Sequence, residues 1–187
     1  MKLDTAIIFA GGKSSRMGED KALLPFKEYS TLAEYQYSRL LKIFNNVYIS
    51  AKSNKFNFSV KVIEDRYVQS SPLVALISIF ETLDIDEVFI LGVDVPFIDR
   101  DIIKRLYSCA SLSKDIIVAI SPNGIEPLCG IYKRAILPIA QNLLSADNHR
   151  LNNLLNSCNS QFIYFNSRDK FLNLNTPDDY NRAVIRS

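Results

Sequence analysis

Short runs of β-branched and aromatic residues alternate along the chain with longer stretches whose apolar positions recur at three- and four-residue intervals. Runs of the first kind occupy residues 3–9, 47–51, 60–63, 88–93, 116–120, 128–132 and 162–165, and each is predicted to be a β-strand. The first predicted helix spans about 31–44, where Leu32, Tyr35, Leu40, Leu41 and Phe44 can share one broad face. A second follows Pro72, with Leu73, Leu76, Ile77 and Phe80 at suitable spacing, and a third starts after Asp99, a good N-cap, with Ile102, Ile103 and Leu106 turned inward. In the stretch 135–145, Pro138 must sit in a first turn or at a kink, since an interior proline loses a helical hydrogen bond. A last helix opens with Thr176 as cap, Pro177 in the first position and Asp178-Asp179 against the helix dipole. Strands alternating with helices predict an α/β fold with a mostly parallel central sheet. No repeat, low-complexity tract or linker interrupts it, so one domain over residues 1–187 is expected.

Composition narrows the class. Of 187 residues, 48% are hydrophobic and 22% charged, near the averages for folded domains, which excludes disordered and fibrous classes. A net charge of +2 gives no footprint for nucleic acid. No apolar run approaches the roughly 18 residues of a membrane span, and the short run 6–10, flanked by Asp4 and Gly11-Gly12, does not suit a signal peptide. A cytoplasmic protein without a membrane partner is expected. Cys109, Cys129 and Cys158 are odd in number, widely spaced and accompanied by a single histidine, which argues against disulfides and zinc and for buried thiols.

The chemistry-bearing stretch is Phe9-Ala10-Gly11-Gly12-Lys13-Ser14-Ser15-Arg16-Met17-Gly18-Glu19-Asp20-Lys21, directly after the first predicted strand. Paired glycines let the backbone approach a phosphate or base, and Arg16 and Lys21 supply positive charge. A Walker A loop is excluded, because the glycine it requires is Ile7 here; the glycines at 11, 12 and 18 do not make a GxGxxG fingerprint either. A Gly-Gly pair after a strand is often only a turn. The two cations and the strand context favour a polyphosphate cradle. Downstream, residues 88–93 read as a buried strand that delivers Asp94 at its carboxyl end, where a carboxylate can hold a hard cation such as Mg2+. In an open α/β sheet both segments fall at the same edge.

This first stretch matches the LAGGxSxRMGxDK signature and resembles the nucleotidyltransferase family that modifies the molybdenum cofactor, the guanylyltransferase branch above all; Phe9 replaces the usual leucine. The resemblance implies a single-domain, Rossmann-like three-layer fold of the nucleotide-diphospho-sugar transferase type. Asp94-Val95-Pro96 matches the family's DxP motif. Asp65 resembles the aspartate ahead of a GPL segment, here Ser71-Pro72-Leu73 with serine for glycine, and Ser50 falls where the family tends to place a nucleotide-contacting asparagine. Glu126-Pro127-Leu128 resembles a family segment that faces the acceptor, His149-Arg150-Leu151 a later basic segment, and Asn173-Leu174-Asn175-Thr176-Pro177 the C-terminal NxNTP element. By themselves these last three are a strand entry, a helix start and a capped helix, and an exposed place at a helix start is expected for His149.

By this resemblance Phe9, Ala10, Gly11, Gly12, Ser50, Asp65, Lys21 and Asp94 bind the nucleotide, and Lys21, Arg16 and Asp94 act in catalysis with Mg2+ on Asp94. Glu126, Pro127, Arg150 and Asn175 then meet the acceptor. The implied reaction carries GMP from GTP to the terminal phosphate of molybdopterin, with molybdenum-insertion proteins and apo-molybdoenzymes as further partners. The phosphate monoester nucleophile is already ionised near neutral pH, so a chain with one histidine suffices. Two other readings stand beside it. A cytidylyltransferase acting on molybdopterin or on a sugar or polyol phosphate would more often carry AAG at Ala10-Gly11-Gly12. A nucleotide-binding regulatory module without turnover has Lys21, Asp65 and Asp94 against it.

Overall fold

The computed structural model describes residues 2–11 and 19–185. Seven strands, β1 (Leu3–Phe9), β2 (Phe44–Ala51), β3 (Val62–Glu64), β4 (Glu87–Gly92), β5 (Ile116–Ser121), β6 (Gly124–Lys133) and β7 (Ser160–Tyr164), form one sheet in the order β3-β2-β1-β4-β6-β5-β7. All neighbours are parallel except β6, which runs antiparallel to both β4 and β5. The helices are α1 (Leu32–Leu40), α2 (Pro72–Thr82), α3 (Arg100–Cys109), α4 (Leu137–Ser145), α5 (Leu151–Ser157) and α6 (Pro177–Ile185).

Alternation along the strands builds a core on each side of the sheet. Ala6 and Ile8 of β1 and Phe89 and Leu91 of β4 pack with α1, α3 and α6. Ile7 and Phe9, with Val88 and Ile90, face α2, α4 and α5. The result is the expected three-layer α/β arrangement with a mostly parallel sheet.

Local chemistry sets the helix starts. Thr31 caps α1 by accepting the Glu34 N–H, Asp99 caps α3 by accepting from Asp101 and Ile102, and Pro138 sits in the first turn of α4. The first predicted helix is too long. It ends at Leu40, and Phe44 opens β2. Short bonds from Lys42 N–H to Arg39 and Ile43 N–H to Leu40 close the helix, the Ile43 carbonyl accepts from Leu3, and Phe44 stacks on Phe89 with ring centroids 5.5 Å apart. Leu41 and Phe44 therefore do not share the helical face that periodicity suggests. The thiols also depart from expectation: Cys129 is buried, but Cys158 is half-buried and Cys109, in the last turn of α3, is exposed.

Candidate functional site

The chain runs from β1 outward through β2 to β3, then returns to place β4 on the other side of β1. Beyond the carboxyl ends of β1 and β4 this reversal leaves the crevice where ligands bind in open α/β sheets. The Val93 N–H donates to the Phe9 carbonyl at 3.0 Å, which extends the β1–β4 pairing up to Asp94. From the α1 side, the buried amide of Gln36 donates to the carbonyls of Gly92, Val93 and Val95 at 3.4, 3.3 and 3.2 Å. Arg39, whose pKa burial lowers, donates to the Gln36 amide oxygen and to the Ile98 carbonyl. Asp94 is thus held on a stiff turn. Gly92 gives its carboxylate room, because a Cβ there would lie 2.8 Å from Asp94 Oδ1.

Three distant segments meet at this carboxylate. Lys21 opens a 3-10 turn, Lys21–Leu23, capped by Asp20. Its Nζ lies 3.5 Å from Asp94 Oδ2 and donates to Asn175 Oδ1 at 3.0 Å. Asn175 arrives because the Leu174 N–H donates to the Asp94 carbonyl at 2.9 Å, which pins the segment before α6 to the turn after β4. One residue earlier in the pinned segment, Asn173 Oδ1 is buried without a hydrogen-bond partner among the described residues.

A cleft of about 110 Å³ opens beside this cluster, lined by Phe9, Gly11, Ser50, Asp65, Ser71 and Leu128 among others. Among the described residues, a Cβ at Gly11 would come near only Ala51 Cα, at 4.0 Å. Ser50 is 2% exposed and its Oγ has no hydrogen-bond partner among the described residues, a cost that a ligand in the cleft would relieve. Burial raises the Asp65 carboxyl pKa, against the lowering effects of the Ser70 hydroxyl and Lys52. Ser71, which also lines the cleft, caps α2. Its backbone is extended (φ −156°), and its Oγ accepts the Val74 N–H at 3.2 Å. Serine therefore fits this position as well as glycine would.

Residues 6–161 match the family described as the MobA-like NTP transferase domain. The chain belongs to that family. It is 34% identical over 178 residues to a molybdenum cofactor guanylyltransferase of Campylobacter jejuni subsp. doylei, an alignment that covers 94% of this chain and 93% of the relative. It is 37% identical over 183 residues to the Helicobacter pylori molybdenum cofactor guanylyltransferase, covering 95% and 90%. Among solved structures, molybdopterin-guanine dinucleotide biosynthesis protein A from Archaeoglobus fulgidus superposes with a TM-score of 0.84 at 16% identity over 97% of both chains. A protein from Aquifex aeolicus gives 0.74 at 21% identity, over 93% of this chain and 94% of that one.

In this MobA-like transferase, Phe9, Ala10, Gly11, Ser50, Asp65, Lys21, Asp94 and Asn175 gather at one edge of the sheet; Gly12 and Arg16 lie outside the described residues. Glu126 reaches the same edge through an irregularity in β6. The β5–β6 register shifts between Val118 and Ala119, so that Gly130 pairs with Val118 and Glu126 with Ala119, and Pro127, without an N–H, occupies the looped-out part. The Pro127 carbonyl accepts the Tyr132 hydroxyl at 2.6 Å, and Ser121 donates to Glu126 at 2.6 Å. Burial and then Asp94 raise the Glu126 pKa, opposed by the Ser121 hydrogen bond. Arg150 is exposed at the start of α5. Its neighbour His149 is not the exposed residue expected. It is half-buried, with Nδ1 3.2 Å from Ser71 Oγ and Nε2 3.0 Å from Asp147 Oδ1, so it joins the α5 start to the cleft wall. Sequence reasoning missed Gln36, Lys55 and this role of His149. Gln36 and Lys55 lie on segments without a phosphate or metal motif, and only the folded contacts bring these three side chains to the site.

Proposed function

We propose that this protein transfers GMP from GTP to the terminal phosphate of molybdopterin, producing a guanine dinucleotide cofactor and pyrophosphate. The observation that carries the reading is the convergence of Lys21, Asp94 and Asn175 at the β1–β4 crevice, beside a cleft where Ser50 Oγ has no hydrogen-bond partner among the described residues. The names of the 34–37% identical relatives support guanine and molybdopterin as the substrates.

Chemically, an acceptor phosphate oxygen attacks the α-phosphorus of GTP, the new P–O bond forms, and the α–β bridging bond breaks to release pyrophosphate. The nucleophile is an anion already, so the protein's tasks are in-line positioning and charge neutralisation. Ser50, Asp65 and the backbone from Phe9 to Gly12 seat the nucleotide in the cleft. Lys21, with Arg16, neutralises charge on the phosphates. Glu126, Pro127, Arg150 and Asn175 orient the acceptor.

A divalent cation fits the residues present. The Asp94 carboxylate and the Asn175 amide oxygen converge on one positive charge, the Lys21 ammonium, and the Asn173 amide oxygen in the same segment has no hydrogen-bond partner among the described residues. No group of three acidic, histidine or cysteine side chains able to hold a metal occurs among the described residues. Such a sparse, all-oxygen set suits Mg2+, which keeps waters and substrate phosphates as its remaining ligands. Bound at Asp94, Mg2+ would supply Lewis-acid stabilisation of charge on the transferring and leaving phosphates.

The reading also makes residues 1–187 one nucleotidyltransferase domain working in the cytoplasm, between molybdenum-insertion proteins and apo-molybdoenzymes. Among the described residues no helix is long and apolar enough to cross a membrane. Incubation of the purified protein with Mg2+, molybdopterin and GTP, CTP, ATP or UTP in turn tests the proposal. Pyrophosphate is expected with GTP. Turnover with CTP alone would make the enzyme a cytidylyltransferase, and none with any triphosphate would leave a binding module.

A further inference from the structure

Lys55, on the connection between β2 and β3, has no role in the reading above, yet its ammonium joins the two flanks of the glycine-rich stretch. Its Nζ donates to the Ala10 carbonyl at 3.1 Å and pairs with Asp20 Oδ2. Ala10 directly follows β1, whereas Asp20 caps the 3-10 turn that begins with Lys21. The second oxygen of the same carboxylate, Oδ1, accepts the Ala22 N–H at 3.1 Å. A continuous set of contacts therefore runs from the end of β1 through Lys55 and Asp20 into the turn that carries Lys21. Beyond that turn lie Asp94 at 3.5 Å and Asn175 at 3.0 Å.

The side chains of Lys55 and Asp20 are 27% and 33% exposed, so the pair is partly withdrawn from water. It is also tied to backbone on both sides, unlike a freely solvated surface pair, which contributes little. We infer that Lys55 is a positioning residue: by holding Asp20 against the Ala10 carbonyl, it fixes where the turn presents the Lys21 ammonium to the transferring phosphates. The inference rests on the proposed role of Lys21. Lys55 needs no contact with substrate. Its effect is transmitted through Asp20, and it should act on the rate of transfer more than on nucleotide affinity.

The test compares wild type, Lys55→Met, Lys21→Ala and the double variant, with pyrophosphate release from GTP, Mg2+ and molybdopterin, GTP affinity by calorimetry, and thermal unfolding. Methionine keeps most of the lysine stem and removes the charge. Lys55→Met is expected to lower kcat about 10- to 100-fold, the range for a displaced catalytic group, while GTP Kd moves less than about threefold. On the Lys21→Ala background the same change is expected to cost less than about twofold, because coupled residues are not additive. An unchanged kcat, an equal loss on both backgrounds, or a loss confined to GTP affinity overturns the inference; the last would make Lys55 a direct nucleotide ligand. Should Lys55→Met unfold at the assay temperature, Asp20→Asn repeats the comparison from the other partner with the side-chain size kept. Wild-type protein that releases no pyrophosphate refutes the proposed function, whereas an active wild type with an indifferent Lys55→Met refutes only the positioning role.

Discussion

Lys21 and Asp94 were legible from the chain because each ends a motif whose residue types have few other uses together. What the chain did not disclose is the company they keep. Asn175 lies 154 residues from Lys21, and a backbone bond from Leu174 to Asp94 delivers it to the site. If Lys21 stabilises charge that builds in the transition state, Lys21→Ala should lower turnover on the order of 100- to 1,000-fold, as for loss of one preorganised charge-stabilising donor. Steady-state pyrophosphate release checks this, and an undiminished rate would remove the lysine from the mechanism. Gly92 makes a subtler case. A Cβ there would meet the Asp94 carboxylate at 2.8 Å and Leu128 Cβ at 3.5 Å, and a carboxylate can swing aside where backbone could not. Gly92→Ala should thus change stability by about 1 kcal/mol or less yet lower turnover about 10- to 100-fold through a misplaced ligand. A melting curve and a rate measured on one sample decide it, and parallel losses in both would contradict the account.

At the level of elements, polar caps and proline positions marked where helices begin, and Thr31, Asp99 and Pro177 stand where the sequence puts them. Ends were harder to read. The apolar spacing of Leu40, Leu41 and Phe44 satisfies a helix as well as a turn leading into a strand, and pairing with β1 settles it for the strand. The direction of β6 was equally hidden, since an apolar run has no polarity. It is set by the tight β5–β6 turn, where Gly124 adopts φ +122°. Asp99 adds a pH-dependent contribution. Burial would raise its carboxyl pKa, but the hydrogen bond from Lys170, the Ile102 and Asp101 N–H groups and the Lys170 charge together hold it below the ordinary value of 3.8. A carboxyl depressed in the folded state contributes stability that is complete above its unfolded value and disappears as pH falls through the folded one. Asp99→Asn should therefore flatten the fall in unfolding free energy below about pH 4, measured by urea titration at several pH values. An unchanged acid limb would show that the cap and its lysine contribute nothing there.

Over the whole molecule, the reversal of strand order at β1 and β4 turns separate motifs into a site. A ligand bound across that crevice ties the β1, β2 and β4 termini together and binds the folded state alone. GTP with Mg2+ at about 100 times its Kd should raise stability by about 2.7 kcal/mol, read as an increase in Tm. In Asp94→Ala the Mg2+-dependent part of the increase should vanish while the metal-free protein melts as before. A shift that is the same with and without Asp94 would move the cation elsewhere.

Three things were determined by the sequence alone: the alternation of strands and helices, the glycine-rich stretch with its cations, and the acid just beyond the fourth strand. All are local, because side-chain spacing, caps and loop chemistry act over a few residues. The tertiary structure alone decided which segments meet: Asn175 against Lys21, Gln36 beneath the Asp94 turn, His149 on Ser71, and Lys55 between Ala10 and Asp20. Such contacts depend on strand order and on backbone bonds between distant segments, and no local pattern encodes either.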